Sequence, residues 1–219
     1  MMLTGCGGID KPGWGAVAVE FGGPGGRTLR GHRFAGAETW AVLVHDVGRD
    51  LDDWRGLAAG LAGQGFGVLV FDLPGHGASD DPWEPEHAGA AVVAAIDFVR
   101  SQGAGHVHLV AAGAGAIAAL AAAAGAAPDL ASAALLAPRL DDRVAALEKV
   151  GEATLPKLIL VGSLDPDAVR DAEAVFRVAT GRCEMAHLPV MAQGTDLLAG
   201  EWGQQAGEKV LASLRRWQR

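Results

Sequence analysis

His106-Val107-His108-Leu109-Val110-Ala111-Ala112-Gly113-Ala114-Gly115-Ala116-Ile117-Ala118 changes its pattern halfway along. Its first half is an apolar run of strand length. From Ala114 to about Ala124 the chain is alanine nearly all round, and a helix with no polar face belongs in the middle of a fold. The join between the two is made of small residues, with Ala111 and Gly115 two positions either side of Gly113. A strand that turns this sharply into a helix strains the backbone of its apex residue and leaves room only for small neighbours. In Gly-x-Ser-x-Gly turns the apex carries a serine hydroxyl. Here it is Gly113, which reaches positive φ without a Cβ clash and so relieves the strain. An alanine- and glycine-rich tract would read the same way in isolation, so the flanking sequence has to decide.

Working outward, apolar runs of strand length alternate with helical segments: 41–45, 67–71, 107–111, 131–136, 157–161 and 182–187. They are near-continuous in Val, Leu and Ile, as parallel strands covered on both faces are. Between them, Trp54, Leu57, Ala58 and Leu61 form one apolar helical stripe behind the cap residues Asp50 and Asp52, and Ala88, Val92, Ala95, Ile96 and Val99 form another. Further helices are predicted over 141–150, over 167–180 with Pro166 at the first turn, and from about Gln204 to the end. Upstream, the β-type runs 14–21 and 27–34 are joined by a glycine- and proline-rich turn and read as an antiparallel hairpin. The prediction is an α/β fold: a doubly wound, mostly parallel sheet with an N-terminal antiparallel hairpin and helices on both faces. Residues 14–219 form one domain behind a flexible segment, 1–13. Only about twenty residues separate the strand ending near Leu136 from the next, too few for a large lid.

At 219 residues with a formal charge of −8, the chain has scattered cations and no basic stripe, which disfavours nucleic acid as a partner. No apolar run approaches the length of a membrane span. Two cysteines give no disulfide framework, and Cys183, inside a strand, reads as a buried thiol. Leu3-Thr4-Gly5-Cys6 resembles a bacterial lipobox with its basic and apolar leader missing, which makes Cys6 a lipidation candidate. As written the chain reads as cytoplasmic; with a leader upstream of Cys6 it would be an exported lipoprotein. No cofactor or metal is expected. Gly63-x-Gly65-x-Gly67 precedes a strand and reads as a helix terminator, and His106 and His108 form a pair without a third ligand.

Three further stretches specify the type of site. They are Val44-His45-Asp46-Val47-Gly48, then Asp53-Trp54, then Val70-Phe71-Asp72-Leu73-Pro74-Gly75-His76-Gly77-Ala78-Ser79. In this order, with the sharp turn at Gly113 following, the chain resembles the α/β-hydrolase family, as a compact member with little lid, over nearly its whole length. The resemblance implies a nucleophile, an acid and a histidine in that chain order, with backbone N–H groups as oxyanion donors. The nucleophile slot is Gly113. The acid slot, in Gly162-Ser163-Leu164-Asp165-Pro166, is Asp165. The histidine slot, in Ala192-Gln193-Gly194-Thr195-Asp196-Leu197-Leu198, is Gln193, which takes no proton at any useful pH. The implied oxyanion donors are the N–H groups of Val47 or Gly48 and of Ala114, which survive side-chain change.

Catalysis through the triad is therefore not expected. The leading reading is a pseudoenzyme that binds a small molecule or a protein partner. One alternative is an esterase with a displaced nucleophile such as Ser163 or Ser79, or a displaced base such as His187. The other is a surface-tethered interaction lipoprotein held through Cys6.

Overall fold

The computed structural model describes residues 15–36, 38–125 and 130–217. The segment 1–13 and the lipidation candidate Cys6 lie outside the described residues. The chain begins with the hairpin β1 (Val17–Gly22) and β2 (Thr28–Phe34), paired antiparallel. There follow β3 (Thr39–Val44), α1 (Arg55–Gly63), β4 (Gly67–Phe71) and α2 (Ala88–Ser101). The central turn joins β5 (His106–Ala112) directly to α3 (Gly113–Gly125). The second half runs β6 (Leu130–Leu136), α4 (Leu147–Gly151), β7 (Lys157–Gly162), α5 (Pro166–Val178), β8 (Cys183–Leu188) and α6 (Gly200–Arg216).

These strands form one eight-stranded sheet in the order β1-β2-β4-β3-β5-β6-β7-β8. From β4 to β8 every pairing is parallel, and the hairpin adds the antiparallel edge through β2 against β4. The order reverses at β3, the first strand flanked by later strands on both sides, which opens a crevice at the carboxyl ends of β3 and β5. Helices pack on both faces, with α2 against α3 and α3 against α4, while α1 and α6 line a common groove. The core is continuous through Trp40, Trp54, Phe71, Leu109 and Ile117, all buried. Alanine on α3 is explained by this position, since nearly the whole helix is covered and larger side chains would not fit against β3, β5 and α2.

Two local readings of the sequence are corrected. The helix predicted over 141–150 is confined to Leu147–Gly151, because Asp141 folds the chain into a turn instead. Its carboxylate accepts the Arg143 N–H at 3.1 Å and pairs with the Arg143 guanidinium, while its carbonyl accepts the Val144 N–H at 2.9 Å. Short acidic side chains compete with helix in this way. The second correction is Cys183, which lies on the edge strand β8 and is half-buried; what burial it has raises the thiol's pKa above its ordinary value.

Candidate functional site

The expected triad positions and backbone donors lie at the carboxyl edge of the sheet, on the turns that leave β3, β5, β7 and β8. Gly113 is the apex of the β5–α3 turn, with φ +54°. Glycine is required there twice over. The conformation is left-handed, and a Cβ built on Gly113 would stand 2.0 Å from Cγ of Asp46. Gly115 is small for a packing reason, since its Cβ would stand 2.1 Å from the carbonyl oxygen of His45. The expected sharp turn is therefore present, pressed against the β3 loop.

The space over Gly113 holds the Asp46 carboxylate. Its Oδ1 accepts the Val47 N–H at 2.7 Å, the Ala114 N–H at 2.8 Å and an N–H of the Arg139 guanidinium at 2.8 Å. The two backbone donors implied by the resemblance thus converge on one point, and an acidic side chain of the same chain fills it. The Gly48 N–H is directed elsewhere, to His76 Nε2 at 3.0 Å.

Two elements aim this arrangement. The His45 ring donates from Nδ1 to the Asp46 carbonyl at 2.7 Å and accepts the Leu73 N–H at Nε2 at 2.9 Å, so the turn after β3 is tied to the turn after β4. His45 is fully buried, and burial lowers its pKa to about 4, which keeps the ring neutral as those two bonds require. Arg139 is presented by the loop after β6, where Ala137 takes a positive φ of 41° and the Arg139 N–H bonds the Gly113 carbonyl at 3.0 Å. A non-glycine residue in that region carries strain of about 1–3 kcal/mol, held here by the packing around it.

The acid and base positions also meet. Asp165 Oδ2 accepts the side-chain N–H of Gln193 at 2.6 Å, while Oδ1 caps α5 by accepting the N–H groups of Asp167 and Ala168, each at 3.1 Å. The Gln193 bond, followed by the helix-cap bonds, holds the Asp165 carboxyl below the usual carboxylate range. Glutamine preserves the hydrogen bond that would orient a histidine and supplies no base. Asp46, Gly113, Arg139, Arg170, Asp171 and Gln193 share a cleft of about 330 Å³.

The candidates for a displaced mechanism are engaged elsewhere. Ser79 Oγ donates to the Asp72 carbonyl at 2.6 Å, and Ser163 Oγ to the Leu188 carbonyl at 3.1 Å, neither beside a base. His187 is exposed on β8. A serine and a histidine do meet at His108 Nδ1 and Ser132 Oγ, 2.7 Å apart, but both are fully buried within the sheet and burial lowers the His108 pKa to about 4. Among the described residues no group of three or more His, Cys, Asp or Glu is placed to hold a metal ion. Nor is any helix among them long and apolar enough to cross a membrane.

Two residues of the site were not found from sequence, Asp46 as an occupant and Arg139 as a donor. Asp46 did leave a signal, because it is an acidic side chain immediately before the expected donor Val47. Arg139 left none, since the loop after β6 carries no motif.

A sharp β5–α3 turn, an acid after β7 and a partner after β8 define the architecture of a serine hydrolase with its nucleophile and base replaced by Gly113 and Gln193. Residues 41–217 match the Alpha/beta hydrolase family, and the chain belongs to that family. Among solved structures, DcsB in complex with its substrate analogue superposes with a TM-score of 0.84 at 12% identity, over 92% of this chain and 99% of that one. The α/β hydrolase GrgF from a Penicillium species gives 0.81 at 16% identity, over 92% and 98%. An esterase of Pyrococcus furiosus gives 0.78 at 13% identity, over 99% and 97%. At these identities the likeness is one of fold. No curated protein matches the sequence.

Proposed function

We propose that this chain is a non-catalytic member of its family whose cleft over Gly113 binds a small molecule. The observation that carries the reading is the Asp46 carboxylate, which takes both the volume a nucleophile side chain would need and the Val47 and Ala114 donors an oxyanion would need. Acyl transfer on this scaffold requires that volume and those donors to be free when the carbonyl is attacked. Gln193 in the base position supports the same conclusion. A cleft of about 330 Å³ falls in the range of small-ligand sites and favours a small molecule over a protein partner.

The test is labelling of the intact wild-type chain with a fluorophosphonate probe, read by mass spectrometry. An unshifted mass is expected. A covalent adduct on any serine would overturn the reading and revive a displaced nucleophile. The lipid anchor at Cys6 remains a reading of the sequence.

A further inference from the structure

We propose that Val47 N–H, Ala114 N–H and the Arg139 guanidinium form a carboxylate receptor, that Asp46 is its resident competitor, and that the ligand of the cleft carries a carboxylate which takes Asp46's place. The inference rests on the cleft being a binding site and goes further by naming the ligand's chemical class and the residues that receive it.

Asp46 uses the site poorly. Its Oδ1 takes all three donors, while Oδ2 accepts no hydrogen bond among the described residues. Arg139 is likewise half used. Its side chain is 43% exposed, and only one Nη donates to the carboxylate, although guanidinium groups pair best with carboxylates through two parallel bonds. The limitation is the tether. Asp46 enters from its own backbone, one residue from the Val47 donor, and with Oδ1 on all three donors its second oxygen makes no bond to Arg139. A free carboxylate has no such restriction and can place one oxygen on the backbone pair and the other on the guanidinium. Gly113 supplies the room, because the carboxylate lies where a Cβ would otherwise be. The cleft of about 330 Å³ supplies the approach, with Arg139 and Gly113 among its lining residues.

A tethered group competes at a high effective concentration, so the wild type binds a simple carboxylate more weakly than the bare receptor does, by about tenfold or more. Removing the competitor exposes the site. In Asp46→Ala, formate and acetate are expected to raise Tm saturably, by a few degrees at saturation. Chloride and methylammonium at matched ionic strength are not. ¹³C-formate should show saturable line broadening with the same midpoint. Adding Arg139→Gln should weaken formate binding about tenfold.

Should Asp46→Ala fail to fold, Asp46→Asn keeps the shape without the charge. Formate then displaces a neutral amide, and binding intermediate between wild type and the bare receptor is expected. A folded variant of either kind that binds formate no better than the wild type overturns the proposal, as does binding indifferent to Arg139. Fluorophosphonate labelling of the wild-type chain, run beside the formate titration of Asp46→Ala, separates the two claims. An adduct would remove the non-catalytic reading while leaving formate binding intact; absent formate binding with no adduct would remove only the receptor.

Discussion

The bare backbone of Gly113 and the placement of the Asp46 carboxylate depend on one another. The Asp46 carboxylate can reach the Val47 and Ala114 N–H groups as it does only if residue 113 lacks a side chain, and Gly113 is strain-free at φ +54° only because it lacks one. Serine at 113 is therefore expected to cost at least about 2 kcal/mol in the wild type, from overlap with Asp46 and from the left-handed backbone together. In an Asp46→Gly background the overlap term vanishes. A double-mutant cycle by urea unfolding should then give a coupling of more than about 1 kcal/mol between the two positions. Gln193 is a milder replacement, since it keeps the bond to Asp165 while abandoning the chemistry.

At the scale of elements, two buried histidines act as neutral braces, one beside the site and one within the sheet. His45 ties the loop after β3 to the loop after β4, and His108 bridges β5 to Ser132 on β6. Burial lowers both pKa values to about 4. An unfolded chain binds their protons from about pH 6.5 downward, so between there and pH 4 the unfolded state holds more protons than the folded one. Stability is thus expected to be unaffected by these groups above pH 6.5. It should fall as pH drops toward 4, at up to about 1.4 kcal/mol per pH unit for each histidine. Urea unfolding at pH 7 and pH 5 measures the slope, and His108→Gln should remove roughly half of this contribution.

Across the whole molecule, most of the fold and three positions of the site were legible in sequence. The near-continuous apolar strands announce a covered parallel sheet, and the stretches around His45, Asp72 and Gly113 carry the family resemblance that implies the slots at Asp165 and Gln193. What escaped was decided in space. Asp46 and Gly113 come from different strands, and nothing in either stretch states that one side chain would enter the volume the other vacated. The Asp141 turn shortens the helix expected over 141–150, and Cys183 reads as buried because edge and central strands look alike in sequence. Family membership then sets the scaffold while leaving function to the site.

That site makes a specific claim about restoring activity. Serine at 113 and histidine at 193 supply the missing triad atoms but crowd the new hydroxyl against the Asp46 carboxylate beside the Val47 and Ala114 N–H groups, whereas adding Asp46→Gly removes that carboxylate. The deciding measurement is p-nitrophenyl acetate turnover by the folded Gly113→Ser/Gln193→His double variant and by the triple variant that also carries Asp46→Gly. Hydrolysis by the triple variant is expected at least about a hundredfold above the double, the usual value of oxyanion donors. Equal turnover by the two, at any level, would contradict it.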